Sequence, residues 1–223
     1  MNFNYFKTIL EETKELAFSQ VLIIVLLFIQ ISVVTRGLGT SNYGRAALVL
    51  ALVALIFRTF HSRNSEVTLL MLKKHGKNIY SVSLLFDIFI GIISMLLCVI
   101  LFQSSINTLF GDYQFNTILL ILLLSRVIQT LSESSKAVLT FYGKFKKFAL
   151  VDSVSNIFRF VAIIFLFYFE KSIENYLIGQ SIFSITYGLF GVFVCRDYLK
   201  ISDISFKNVK EYLQVFKLDF YKQ

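Results

Sequence analysis

The chain has 223 residues, of which 56% are hydrophobic and only 16% charged, and its formal net charge is +8 at pH 7. Soluble domains are about a quarter charged, so this composition points away from a soluble enzyme or binding domain and toward a membrane protein. The basic residues lie in short clusters between long apolar runs, a pattern typical of membrane orientation signals and not of a nucleic-acid partner.

Six apolar stretches approach the roughly 20 residues that a helix needs to cross a bilayer. Backbone polar groups in hydrocarbon must be satisfied within their own segment, so runs of this length are predicted to be helices. The second and fourth spans are the weakest, because they contain Arg58 and Arg126. The sequence predicts an all-α membrane protein with spans at about 18–34, 46–60, 79–102, 115–130 (with the helix continuing to 141), 148–169 and 176–195.

Orientation follows from the Lys and Arg residues of the connections, since cytoplasmic connections are enriched in both. Alternate connections carry 16 of these residues on one side of the membrane and 3 on the other. Both termini are therefore predicted to be cytoplasmic, and an even number of spans agrees with this arrangement. Beyond the last span, residues 202–223 are predicted to form a basic amphipathic helix. Two interpretations are open: a surface helix on the lipids of the inner leaflet, or a linker into a further span.

Polar residues inside the spans recur at helical spacing, so that single faces of four helices are polar. Ionisable groups at such positions usually face a protein interior or a water-filled cavity. The stripes are Asp87, Gly91 and Ser94 in span three, Arg126, Gln129, Thr130 and Glu133 in span four, Asp152, Ser155, Asn156 and Arg159 in span five, and Gln180, Ser184, Tyr187 and Gly191 in span six.

Two interpretations of the stripes are open. In one, the carboxylates of Asp87 and Glu133 neutralise the arginines, and the polar residues only hold the bundle together. In the other, which recurrence on four helices favours, the stripes enclose a hydrophilic cavity. Arginine in such a cavity favours an anionic ligand, because its planar guanidinium pairs with phosphate in a bidentate manner.

Conventional catalytic and metal-binding motifs are missing from the sequence. The two histidines, His61 and His75, lie in a basic connection, and the two cysteines, Cys98 and Cys195, lie inside apolar runs without metal-ligand spacing. The sequence has no glycine-rich phosphate loop or nucleophile elbow. We therefore predict a protein that is not an enzyme and uses no cofactor or metal.

The connection between the first two predicted spans contains a sequence pattern that is similar to that of a known protein family. Residues 35–44 read Thr-Arg-Gly-Leu-Gly-Thr-Ser-Asn-Tyr-Gly. This pattern between two spans resembles the start of the bacterial polysaccharide flippases, within the multidrug/oligosaccharidyl-lipid/polysaccharide exporter superfamily. Members often have proline where this chain has Thr40. Residues 58–74 and 134–148 are similar to the family's first cytoplasmic loop and to its link between spans four and five.

The resemblance implies one lobe of a two-lobe transporter, since members have twelve or more spans in two six-helix lobes around a central cavity. Residues 1–195 would form the six-span N-terminal lobe, with a short cytoplasmic segment first. Residues 196–223 would form a cytoplasmic tail that leads to a second lobe, unless two copies pair. The implied partner is an undecaprenyl-pyrophosphate-linked oligosaccharide, such as an O-antigen unit of lipopolysaccharide, crossing the cytoplasmic (inner) membrane.

Within this picture, Arg126 and Arg159 are predicted to attract the pyrophosphate, and Asp87 and Glu133 to tune the site or couple it to an ion. Alternatives are a drug or lipid exporter of the same superfamily and a truncated remnant that transports nothing. A membrane enzyme is disfavoured, because the predicted periplasmic connections are short and nearly uncharged. Further predicted cavity residues are Arg36, Arg58, Asp152 and Asn156.

Overall fold

A computed structural model describes the backbone of residues 3–109, 113–200 and 204–220, and the side chains of 14–59, 64–102, 117–200, 204–205 and 208–217. Parts of the predicted N-terminal segment, of the connection after span three and of the tail lie outside these residues, as does the His61 side chain. The helices are α1 (Phe3–His75), α2 (Tyr80–Leu109), α3 (Tyr113–Phe141), α4 (Phe145–Phe169), α5 (Ile173–Val194) and α6 (Phe206–Phe220), with 3₁₀ turns at Gly76–Ile79 and Arg196–Tyr198.

The described part of the chain is helical and contains no strand, so the predicted all-α membrane fold is confirmed. Four helical runs are long and apolar enough to cross a membrane, namely Lys14–Phe102, Thr117–Phe141, Phe145–Phe169 and Ile173–Val194. The outward side chains are apolar, with Phe28 74% and Tyr168 85% exposed. Faces of this kind suit lipid and not water. The count of six spans stays a prediction, because the first run joins several helical segments.

The first helix changes direction at Gly39, where φ is 77° and ψ is 161°. Glycine adopts a positive φ without the steric clash that a side chain would introduce. This residue lies in the connection predicted between spans one and two. It divides α1 into two arms, residues 3–38 and residues 40–75, which we call the first arm and the second arm.

Contacts between neighbouring helices fix the direction of each segment. Between parallel helices the residue numbers of the contacting partners rise together, whereas between antiparallel helices one number rises as the other falls. The first arm is parallel to α4, α4 is antiparallel to α5, and α5 is parallel to α3. Since α2 is antiparallel to both α3 and the second arm, the two arms run in opposite directions. The contacting pairs are Ser19–Ala149 and Gly37–Phe167 for the first arm and α4, Asp152–Tyr187 and Ile163–Gly179 for α4 and α5, and Ile128–Gly188 and Ser135–Cys195 for α3 and α5. They are Ser83–Ser134 and Gly91–Val127 for α2 and α3, and Asn64–Asp87 and Thr68–Ser83 for the second arm and α2.

The tail helix α6 packs one face on the bundle. Tyr212 is fully buried and stacks on Phe86 with ring centroids 4.5 Å apart. Val209 and Phe216 pack against the same apolar cluster, whereas Leu213 is 41% exposed. The predicted amphipathic helix is therefore present, and its inner face contacts protein.

Candidate functional site

A cavity of about 550 Å³ lies between the second arm and α3. Its walls combine apolar and ionisable side chains. Three residues predicted from the sequence, Arg58, Arg126 and Glu133, are among those that line it. The lining residues are Ala54, Phe57, Arg58, Ser65, Glu66, Arg126, Gln129, Thr130, Glu133 and Lys136.

Arg126 lies near the middle of α3 and is half-buried. Its Nη1 donates a hydrogen bond to Oε1 of Gln129, 2.6 Å away and one helical turn further along. Its Nε is buried and has no hydrogen-bond partner. Among the described carboxylates, none forms an ion pair with Arg126. The guanidinium therefore keeps an uncompensated positive charge beside the cavity.

Arg159 on α4 has a closely similar environment. Its Nη2 donates to Oδ1 of Asn156 at 2.6 Å, and its guanidinium lies 4.6 Å from the centre of the Phe183 ring. Its Nε is also buried without a partner. The Asn156 amide is held in turn, because its Nδ2 donates to the backbone oxygen of Asp152 at 2.8 Å. Within the described residues, Arg159 too has no carboxylate partner.

Arg126 and Arg159, which we call the arginine pair, lie on two helices that both pack against α5, since Ile128 on α3 contacts Gly188 and Arg159 on α4 contacts Phe183. Tyr176, at the start of α5, interacts electrostatically with both arginines and is 5% exposed. The pair therefore concentrates two positive charges next to a phenol hydroxyl in a low-dielectric interior, an arrangement that attracts an anion. Helical periodicity does not identify Tyr176, because this residue lies at the predicted edge of span six and belongs to no polar stripe.

The predicted acidic residues have other partners. Glu133 pairs with Lys136 at 3.1 Å on its own helix. The Lys136 ammonium also lies 4.8 Å from the centre of the Tyr187 ring, and Tyr187 donates a hydrogen bond to Asp152. Among the residues that the structure describes, no acidic side chain forms an ion pair with Arg126 or Arg159.

Asp87 lies outside the cavity. It is fully buried and accepts hydrogen bonds from Nδ2 of Asn64 at 2.6 Å and from the backbone nitrogen of Ser134 at 3.1 Å. Arg36 is exposed beside the reversal at Gly39, at the end of the bundle away from Glu133. The roles predicted for both residues in substrate binding stay predictions.

The short stripes of spans three and six lie mostly in contacts between helices. Gly91 packs against Thr130, and Gly191 against Ser132 and Ser135. Such close approaches of small residues bring membrane helices together. Among the described residues, no group of three His, Cys, Asp or Glu side chains could hold a metal ion.

The fold and the polar interior define a helical membrane protein with cationic side chains beside a cavity between two helices. A family model described as "Polysaccharide biosynthesis protein" matches residues 33–218. The chain therefore belongs to the polysaccharide biosynthesis protein family, which supports a role in polysaccharide biosynthesis or transport. Neither a curated protein nor a solved structure matches the chain.

Proposed function

We propose that the chain takes part in moving an undecaprenyl-pyrophosphate-linked oligosaccharide from the inner to the outer leaflet of the cytoplasmic membrane. The observation that carries this proposal is the arginine pair, Arg126 and Arg159, inside a member of a polysaccharide biosynthesis family. Sugar and pyrophosphate are polar and need a path through the bilayer, whereas the polyprenyl tail is soluble in hydrocarbon.

The charge of the pair suits a pyrophosphate. A half-buried guanidinium without a counter-ion is unfavourable in a membrane, and an anionic ligand relieves that cost when it binds. The cavity beside Arg126 supplies hydroxyl, amide and carboxylate groups from Ser65, Gln129 and Glu133, which can hydrogen-bond sugar hydroxyls.

In this proposal both termini lie in the cytoplasm, which the Lys and Arg distribution supports. Transport would follow alternating access, with the six-span lobe moving against a second lobe or a second copy around the site. The lipid-linked oligosaccharide would enter from the end of the cavity nearest Lys136 and Glu66.

Glycan export in cells that lack the gene tests the proposal. Restoring the native gene should restore surface glycan, whereas Arg126→Ala and Arg159→Ala should reduce it strongly at equal protein levels. Arg45→Ala is the matched control, because Arg45 is an exposed arginine on the second arm and not on α3 or α4. Full export by both well-expressed variants of the pair would contradict the proposal.

A further inference from the structure

We propose that Gln129 and Asn156 are positioning residues that orient the two arginines through neutral carbonyl oxygens and so leave both positive charges available to the ligand. The identity of that ligand rests on the proposed function, whereas the positioning role rests on geometry. A carboxylate at either position would orient the guanidinium equally well, but it would also cancel its charge.

The same arrangement occurs on two different helices. On α3 the guanidinium of Arg126 donates to the amide three residues later, and on α4 Arg159 donates to the amide three residues earlier. Both bonds measure 2.6 Å, which is short for a hydrogen bond from a charged donor. Residues three apart are neighbours on a helix surface, so each amide lies where it can hold its arginine.

The carboxylates of Glu133 and Asp152, which lie on the same two helices as the pair, interact with other donors. Glu133 pairs with Lys136, and Asp152 accepts from Tyr187 and, at 3.4 Å, from Gln20. Membrane arginines normally pair with acids, because an unpaired charge in a low dielectric is unfavourable. Because the residues at both contact positions are neutral amides, the two guanidinium charges have no counter-ion. This arrangement suits binding of a doubly charged anion and not stability alone.

The test measures binding of undecaprenyl pyrophosphate to the purified chain in phosphatidylcholine nanodiscs, with undecaprenol as the uncharged comparison. Gln129→Glu preserves the hydrogen bond but adds a negative charge, and we expect affinity to fall by about tenfold or more. Gln129→Met removes the hydrogen bond but preserves the charge, and we expect a smaller loss. A merely structural role predicts the opposite order, because the methionine variant alone loses the contact.

Asn156→Asp and Asn156→Leu make the same comparison at the second arginine, so the test survives if one Gln129 variant fails to fold. Gln214→Glu on the exposed face of α6 adds the same charge elsewhere and should bind like the native chain. The inference is overturned if the apolar variants lose as much affinity as the acidic ones, or if the native chain does not prefer undecaprenyl pyrophosphate to undecaprenol. If the expected order holds while glycan export does not depend on the gene, the proposed function fails and the positioning role stands.

Discussion

The phenol of Tyr212 on α6 donates a hydrogen bond to Oδ1 of Asn64 at 2.7 Å, across 148 positions of sequence. Asn64 donates in turn to Asp87 on α2, which accepts from the backbone of Ser134 on α3. This buried chain of polar contacts joins α6 to the second arm, α2 and α3. It connects the tail to the helix that carries Arg126.

Removing the Tyr212 hydroxyl should weaken this connection. We expect Tyr212→Phe to lower the free energy of unfolding by about 1–3 kcal/mol, because the buried Oδ1 of Asn64 loses its donor. Thermal unfolding in detergent measures the change. Leu213→Ala is the control, since the neighbouring Leu213 side chain is 41% exposed. Equal stability of Tyr212→Phe and the native chain would refute the structural role of the network.

The docking of α6 should also depend on pH. Hydrogen bonding from Lys74, with a further contribution from His75, lowers the pKa of Glu211 below its ordinary value of 4.5. Because the folded pKa is lowered, the stabilisation is present above pH 4.5 and is lost as pH falls through the folded value. The difference in Tm between the native chain and Glu211→Gln should therefore be smaller well below pH 4.5 than above it. The difference should be small throughout, since Lys74 is largely exposed and salt screens the pair. A difference that is the same above and well below pH 4.5 would contradict the assignment.

The contact between α3 and α5 requires a glycine at position 188. A Cβ at this position would overlap the backbone carbonyl of Ile128, which cannot move as a side chain can. We expect Gly188→Ala to lower the free energy of unfolding by about 1–3 kcal/mol through overpacking. Gly44→Ala is the matched control, because a Cβ there meets nothing within 4 Å, and it should be neutral or slightly stabilising. Unfolding in denaturant compares the two variants.

Labelling of single cysteines tests the predicted orientation. The two native cysteines are buried and unpaired, and both can be replaced first. In intact spheroplasts, an impermeant maleimide should label Arg45→Cys but not Lys147→Cys, because the two exposed positions are predicted to lie on opposite sides. Lysis should make Lys147→Cys reactive. Labelling of Lys147→Cys before lysis would reverse the proposed topology.

Local periodicity predicts that the apolar spans are helical, and the described spans are helices. The helix predicted to continue to Phe141 does so in α3, and the reversal at Gly39 lies in the predicted connection. Arg126 and Gln129 were placed on one helix face, and their hydrogen bond follows from that spacing.

Contacts between distant segments could not be predicted in this way. Periodicity identifies a face of a helix but not the element that covers it, so it does not predict that Asn64 and Ser134 donate hydrogen bonds to Asp87. Tyr176 was missed for the same reason, since its proximity to the arginines depends on how α5 packs against α3 and α4.

Movement of lipid-linked oligosaccharide across proteoliposome membranes tests the central claim most directly. The native chain and the double variant Arg126→Ala/Arg159→Ala would be reconstituted at equal density. The fraction of labelled lipid-linked oligosaccharide reaching the opposite leaflet would then be followed over time. We expect transfer by the native chain above that of protein-free vesicles, and little or none by a folded double variant. Equal transfer by the native chain and the double variant would contradict the role of the arginine pair.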